Sequence, residues 1–351
     1  MARKDIVPGL KAEFLSLPFR KEIHMNAYKH TLHLPLGIVM LVVTVTLTAL
    51  VGLGSVVNAQ NPVYLQLDGE SGYVQVTDRI EDFSVQEGLT VSAWIRPDTL
   101  SFTRSSEGSG YVHWLGKGSR GLPGNQQEWT FRMYNEVNAE NRPNRISFYV
   151  FPPTGGGLGT GSYFQDPVMP GQWIHVVGIL DNTDDGYRDA AGNPVLGQKG
   201  RRTYIFKNGK LRDCDQYQGA EPAGTTVEQI TVLPDDTRRV PCVRDSRTIN
   251  PAATSAPLRI GTRDAGDSMT TSYFQGAIAE VRIWNRPLSQ TEIRDLYASN
   301  LVPQDGLVAE YLLNQDTGTI AIDTVGGHDG EIKGAATWAP GCFEGPVRVC
   351  P

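Results

Sequence analysis

The sequence lacks the motifs with which many enzymes hold a phosphate, a zinc ion or a nucleophile. There is no Gly-rich phosphate loop before a helix, no His-Glu-x-x-His and no Ser or Cys nucleophile motif. It also lacks a Cys-x-x-Cys pair or a close Cys/His cluster, the spacings typical of zinc sites. These absences favour binding over catalysis, and we predict that the protein is not an enzyme.

An excess of basic residues is also missing. The chain has 32 Lys and Arg against 38 Asp and Glu, a formal net charge of −6. From residue 60 onward the balance is more acidic still, and a nucleic acid is therefore not expected as a partner. An acidic exterior suits a soluble exported domain and is compatible with divalent cations.

Long apolar runs are absent except near the start, where residues 34–57 are almost wholly apolar and follow Lys21 and Lys29. The run ends in Val57-Asn58-Ala59, a pattern that signal peptidases accept, yet it is about as long as a membrane-spanning helix. Residues 25–59 are therefore a cleaved signal peptide or an uncleaved N-terminal anchor, and residues 1–24 are a tail or an upstream extension. Both alternatives predict a secreted or cell-surface protein, periplasmic or extracellular, that meets the membrane only through this segment.

Cysteine is scarce, but all four cysteines follow the apolar run. An even number in an oxidising compartment predicts disulfides, with free buried thiols as the alternative. Three connectivities are possible. We favour the local pairs Cys214–Cys242 and Cys342–Cys350, because each pins an otherwise irregular segment.

Short runs with alternating apolar and polar residues recur from residue 60 onward, and the 38 Gly and 22 Pro supply turns between them. This period of two is typical of strands with one face against a core. We therefore predict an all-β fold of two packed antiparallel sheets. The runs are Tyr64–Leu67, Tyr73–Val76, Leu89–Ile95, Glu128–Tyr134, Ile146–Phe151, Trp173–Leu180, Thr203–Lys207, Leu258–Gly261 and Ile278–Trp284.

One helix is predicted late in the chain. Ser289 and Glu292 have the spacing of a capping box, and an apolar stripe follows as far as Asn300. Asn208-Gly209 predicts a two-residue hairpin turn. Residues 101–110, 116–126 and 213–256 are predicted to be loops.

Five blocks in this order resemble the laminin-G-like domains of the concanavalin A-like lectin and glucanase superfamily. They are Leu67-Asp68-Gly69 with Tyr73-Val74, Leu89–Pro97, Trp173–Asp181, Tyr204–Leu211 and Gly276–Leu288. The resemblance implies a two-sheet jelly-roll sandwich with one short late helix, spanning residues 60–304.

Residues 305–351 resemble the segment that usually opens such a domain. The resemblance therefore implies a circular permutation in which this segment completes the same sandwich. The alternative is a truncated second domain, although so few residues could hardly bury a core alone.

A glucanase relative with this fold uses two glutamates in a Glu-x-Asp-x-x-Glu arrangement, which this sequence does not contain. The resemblance therefore implies an exported recognition module for a polysaccharide or glycan. The alternative function is a structural or adhesive cell-surface protein that contacts other proteins.

Calcium is a possible stabilising ion, since members of the resembled family often carry it at strand ends or loops. Its predicted ligands are Asp68, Glu280, Asp323 and Asp329, and turn formation or solvent exposure is the alternative role of these carboxylates.

A saccharide site needs aromatic faces beside polar groups. Aromatic residues in or beside predicted loops are its candidates, whereas Trp94, Trp173 and Trp284 alternate with apolar neighbours and are predicted to be core. The candidates are Trp114, Tyr163, Phe164, Tyr187 and Tyr273.

Overall fold

The computed structural model describes residues 63–84, 87–106, 109–120, 122–152, 158–182, 201–233, 237–265 and 271–341. No helix within these ranges is long and apolar enough to cross a bilayer, and the predicted targeting segment lies outside them. The strands in chain order are β1 (Val63–Asp68), β2 (Tyr73–Val76), β3 (Gly88–Pro97), β4 (Tyr111–Ser119), β5 (Gln126–Tyr134), β6 (Ile146–Val150), β7 (Thr160–Phe164), β8 (Ile174–Asp181), β9 (Arg202–Lys207), β10 (Lys210–Gln216), β11 (Thr226–Thr231), β12 (Arg239–Arg244), β13 (Leu258–Ile260), β14 (Gln275–Trp284), β15 (Leu307–Tyr311), β16 (Ile320–Ala321), β17 (Gly330–Lys333) and β18 (Thr337–Pro340).

These strands form two sheets, which confirms the predicted β-sandwich. The ten-stranded sheet has the order β11-β12-β10-β9-β8-β3-β14-β1-β18, and β15 also pairs with β14. The eight-stranded sheet has the order β16-β17-β2-β13-β4-β5-β6-β7. Neighbours in the described strands pair antiparallel, apart from the parallel pair β10 and β12. A continuous apolar core lies between the sheets, as period-two strands require.

The predicted helix is confirmed as α1 (Gln290–Ser299). The hydroxyl of Ser289 accepts a hydrogen bond from the backbone N–H of Glu292, and the Glu292 carboxylate accepts one from the backbone N–H of Ser289. A short 3₁₀ helix (Ile80–Phe83) precedes β3. The predicted hairpin turn joins β9 to β10, because Asn208 and Gly209 both adopt the positive φ that this turn needs.

Residues 307–340 add strands to both sheets of the sandwich. Strand β15 pairs with β14, β18 pairs with β1, and β17 pairs with β2. The interpretation of this segment as a circular permutation of the family order stays a prediction.

The predicted loop at residues 213–256 is partly wrong, because it contains most of β10 and the whole of β11 and β12. Cys214 and Cys242 face each other in the β10–β12 pair and form a disulfide, which confirms this predicted bond. Cys342 and Cys350 lie outside the described residues.

Candidate functional site

The outer face of the eight-stranded sheet carries the candidate site. On β5, alternation buries Trp129, Phe131 and Met133 in the core and turns Arg132 and Tyr134 to the opposite face. Strands β4 and β6 flank β5 and follow the same alternation, so aligned residues on the three strands share this face.

Arg132 lies at the centre of an aromatic cluster on this face. Its guanidinium carbon is 4.5 Å from the ring centroid of Tyr111, 4.7 Å from that of Tyr149 and 5.2 Å from that of Phe151. A guanidinium within about 6 Å of a ring centroid is attracted to the ring. The three rings therefore hold the guanidinium in one place, and only 8% of Arg132 is exposed.

His113 also holds the Arg132 side chain in place, through a hydrogen bond. The Nε of Arg132 donates to Nε2 of His113 at 3.2 Å. Burial lowers the pKa of His113 well below its usual value, and the charges of Arg263, Arg132 and Arg120 lower it further. The imidazole is therefore neutral, and its other nitrogen, Nδ1, faces the hydroxyl of Ser272 at 3.3 Å.

A cavity of about 420 Å³ opens above this cluster, a size typical of small-ligand sites. Arginines and tyrosines dominate its lining. The lining residues are Ser106, Ser109, Tyr111, Arg120, Arg132, Tyr134, Glu140, Arg142, Tyr149, Phe151, Leu158, Gly159 and Arg247.

Two of the lining arginines are neutralised by neighbouring carboxylates. Nη1 of Arg142 lies 2.5 Å from Glu140 and donates to the Tyr134 hydroxyl at 3.1 Å. Arg247 lies 3.8 Å from Asp245. These pairs sit at the rim, where solvent weakens them.

Arg120 also lines the cavity. Its backbone N–H donates to Asp264 at 2.8 Å, while its side-chain Nε is buried without a hydrogen-bond partner among the described residues. The fully buried Arg263 takes the second oxygen of Asp264 at 2.5 Å.

The ionisation of Tyr111 reports the local charge. Burial raises the pKa of Tyr111, but Arg132, a hydrogen bond to Ser106, and the more distant Arg263 and Arg120 together bring it below its usual value. The floor of the cavity is therefore electropositive.

Among the predicted saccharide-binding aromatics that the structure describes, Tyr163 is the one that lies on this face and is well exposed. It stands opposite Ser147, which in turn stands opposite Arg132. Its ring is 38% exposed, and the Arg145 guanidinium lies 3.6 Å from its centroid. Tyr163 is therefore two strands from Arg132, roughly 10 Å away at the usual strand spacing.

The other predicted aromatics offer little surface to a sugar ring. Trp114 is fully buried with its ring centroid 4.5 Å from that of Phe131. Phe164 is 3% exposed and belongs to the core, and Tyr273 is 6% exposed beneath Arg104. Tyr187 lies outside the described residues.

Two of the four predicted calcium ligands have structural partners in separate places. Both oxygens of Asp68 accept hydrogen bonds from the turn that follows β1, three of them from backbone N–H groups. Burial alone raises the pKa of Asp68, and these donors bring it below its usual value. Glu280 is buried in β14 with Arg282 at 3.2 Å.

Asp323 and Asp329 share one loop, but Asp323 is fully engaged there. It accepts from the backbone N–H groups of Glu310, Val325, Gly326 and His328. Asp329 accepts from the backbone N–H of Asp323. The described part of the chain contains no group of three or more His, Cys, Asp or Glu side chains arranged for a metal. These donor sets do not fit one calcium ion, and calcium binding stays a prediction.

A second cavity, of about 700 Å³, lies beside the 3₁₀ helix. Both ring nitrogens of His328, which lines it, have carboxylate partners. Nδ1 of His328 is 2.8 Å from Asp323, and its Nε2 is 2.8 Å from Asp82. His328 therefore ties the β16–β17 loop to the 3₁₀ helix, which is a structural role.

Sequence reasoning missed Tyr111, Arg132 and Tyr149. Each comes from a different strand, and their sequence separation hides the cluster. The available signal was the position of Arg132, which alternates with core residues in β5 and therefore had to share the outer face.

The comparison with family models supports the resemblance. Residues 68–227 and 243–294 match the model of the laminin-G type described as concanavalin A-like lectin/glucanases superfamily. The chain belongs to this family. A comparison with curated proteins finds no match.

Solved structures with similarity to this laminin-G-like chain share little sequence with it. A candidate carbohydrate-binding protein from Bacteroides ovatus is 15% identical with a TM-score of 0.46, over 82% of this chain and 62% of that one. A pentraxin from Limulus polyphemus is 13% identical with a TM-score of 0.39, over 69% and 85% of the two chains. Domain 4 of an arabinanase from Geobacillus stearothermophilus, in complex with arabinotriose, is 14% identical with a TM-score of 0.34, over 66% and 74%. The chain thus spans less than two thirds of the Bacteroides ovatus protein.

Proposed function

We propose that this protein is a non-catalytic carbohydrate-binding module, and that the cavity over β4, β5 and β6 is its saccharide site. Membership of a lectin and glucanase superfamily supports carbohydrate as the ligand class. The position of the site is supported by the side chain of Tyr149, which is half-buried next to the guanidinium of Arg132. A sugar ring needs this combination of an aromatic face and directed donors.

The cavity is suited to binding rather than to hydrolysis. Glycoside hydrolysis uses two carboxylates about 5 to 9.5 Å apart. Among the described lining residues Glu140 is the single carboxylate, and it is paired with Arg142. A saccharide in the cavity therefore meets donors and aromatic faces, not an acid and a nucleophile.

We further propose that the module works outside the cytoplasm. The disulfide between Cys214 and Cys242 supports an oxidising compartment. In this proposal residues 25–59 direct export, either as a cleaved signal peptide or as an uncleaved N-terminal anchor. Calcium binding is also part of this proposal. A thermal melt of residues 60–351 with calcium and then with chelator tests it, since an ion that binds the native state raises the midpoint of the melt.

The proposed function is tested by calorimetry against a panel of soluble oligosaccharides with wild type, Tyr149→Ala and Tyr73→Ala. Tyr73 is the matched control because it is also a partly buried tyrosine of the eight-stranded sheet but does not line the cavity. We expect Tyr149→Ala to weaken binding about tenfold, which corresponds to ~1.4 kcal/mol. Tyr73→Ala should bind as wild type does. Equal affinities for wild type and Tyr149→Ala would reject this cavity as the site.

Contact with another protein is the second candidate function. Strand β16 is the edge of the eight-stranded sheet, and Ile320, Ile322 and Val325 in and beside it are 44–47% exposed. An exposed edge with apolar side chains can pair with another chain. If no glycan binds and Ile320→Lys abolishes a protein contact found by cross-linking, this function replaces the first.

A further inference from the structure

We infer that the saccharide recognised in this cavity is acidic, and that its carboxylate is bound by Arg132 and Arg120. This inference rests on the proposed function, because it names the substrate class of the same site. Four lining residues are arginines and one is a glutamate, whereas the whole chain has a net charge of −6.

Arg132 differs from the other arginines that line the cavity in being buried without a carboxylate partner. It is more than nine-tenths buried and lines the cavity. Among the described residues no carboxylate lies within ion-pair distance of it, and its single hydrogen bond uses Nε. The two terminal nitrogens therefore have N–H groups available. A buried charge without an anionic partner is unfavourable, and a ligand carboxylate supplies that partner.

Arg120 provides the second positive group. The buried Nε has no partner among the described residues, and its backbone is anchored through Asp264. The other two lining arginines differ, because Glu140 neutralises Arg142 and Asp245 faces Arg247. The free positive charge in the cavity lining thus lies at Arg132 and Arg120.

The geometry suits a planar anion, and a carboxylate is the anion that the proposed saccharide ligand carries. A guanidinium binds a planar carboxylate through two parallel N–H bonds. The rings of Tyr111, Tyr149 and Phe151 restrict the orientation of the Arg132 fork. Tyr149 also lines the cavity and is half-buried, so its exposed part can contact the sugar ring that carries the carboxylate. A uronic or sialic acid unit combines both features.

The experiment measures affinities for acidic saccharides against their neutral counterparts. The probes are oligogalacturonate, oligomannuronate, hyaluronan oligosaccharides and sialyllactose, each compared with its methyl ester. Dextran sulfate, which is sulfated but has no carboxylate, and inorganic phosphate are the competing anions. We expect at least one free acid to bind ten times or more tightly than its ester. We also expect its affinity to fall steeply with salt, because the contact is ionic.

Three variants test whether Arg132 and Arg120 bind the carboxylate. Arg132→Gln and Arg120→Gln should each lower affinity for the free acid tenfold or more and leave affinity for the ester within twofold. Arg239→Gln is the control, because Arg239 is an exposed arginine on β12 away from the cavity. A thermal melt of each variant checks folding, and Arg120→Gln keeps the test valid if Arg132→Gln fails to fold.

Each result supports or overturns the inference. Equal binding of acid and ester, or tight binding of dextran sulfate alone, overturns it. If neutral glycans bind as tightly as the free acids and Tyr149→Ala abolishes that binding, the proposed function holds and the acidic inference is wrong. If no saccharide binds in the cavity at all, both are wrong.

Discussion

The guanidinium carbon of Arg132 lies 4.5 Å from the ring centroid of Tyr111, and the two residues come from neighbouring strands of the eight-stranded sheet. The ring is 6% exposed, so solvent screens this contact little. The charge of Arg132 therefore acts on the phenol directly. The same charge acts on any ligand that enters the cavity, and this makes the ionisation of Tyr111 a probe of the site.

Replacing Arg132 by Gln should raise the pKa of Tyr111. Burial already raises this pKa, and Arg132 is the largest influence that lowers it. Without that positive charge the tyrosinate is less stable, so deprotonation requires a higher pH. The Tyr111 resonance in a carbon-detected NMR pH titration measures the change. Arg239→Gln should leave it unaltered, and an unchanged pKa in Arg132→Gln would show that the guanidinium does not control the electrostatics of the cavity.

Removing the Cys214–Cys242 disulfide should destabilise the fold. The bond closes a segment with a sequence separation of 28 residues. A loop of that length gives an entropic stabilisation of about 3.5 kcal/mol in the chain-entropy estimate. Urea denaturation of wild type and of the Cys214→Ala, Cys242→Ala double variant measures the loss of unfolding free energy. Adding reductant should lower the midpoint of wild type more than that of the variant, which keeps only Cys342 and Cys350. A variant as stable as wild type would contradict the prediction.

The sequence was informative where a local pattern determines structure. Alternation in β5 and β14, the capping box at Ser289 and the turn at Asn208-Gly209 each depend on a few adjacent residues. The pairing of Cys214 with Cys242 was also predicted, although the bond joins two paired strands and not the irregular segment that was expected.

Strand β4 shows why the candidate site was not predicted from the sequence. Its register shifts between His113 and Leu115, so Trp114 and Leu115 both enter the core and the alternation is broken. Trp114 was consequently taken for a residue near a loop. The cluster of Tyr111, Arg132 and Tyr149 depends on the same register, which no local pattern reveals.

Gly178 should not tolerate a methyl group. It lies in β8 of the ten-stranded sheet, and a Cβ there would be 2.5 Å from a ring carbon of Phe148 and 2.7 Å from one of Phe131 on the opposite sheet. Overfilling a packed core costs about 1–3 kcal/mol. We expect Gly178→Ala to lower the unfolding free energy by that amount.

A double-mutant cycle checks the cause of this loss. Phe148→Leu should be less damaging in the Gly178→Ala background than in wild type, because the smaller side chain makes room for the methyl group. Strictly additive losses would show that Gly178 is required for another reason.

Asp215 should make the protein less stable as the pH rises. Burial raises the pKa of Asp215, and the carboxylates of Asp213 and Asp245 raise it further. The folded-state pKa therefore lies above the ordinary value of 3.8. A group of this kind contributes its full stability below the unfolded pKa and loses it as the pH rises through the folded pKa.

The Asp215→Asn variant has a side chain that does not ionise, so it should not lose stability in this way as the pH rises. At pH 8 we expect the variant to be more stable than wild type by at least about 1.4 kcal/mol, the equivalent of one pKa unit. The difference should shrink toward pH 4, where the wild-type carboxyl is protonated in the folded state. Urea denaturation at pH 4 to 9 measures both curves, and Asp316→Asn serves as the control because Asp316 is exposed. Parallel curves for wild type and Asp215→Asn would mean that Asp215 ionises without penalty in the folded protein. In that case the strain among the three carboxylates would not govern the alkaline side of the stability profile.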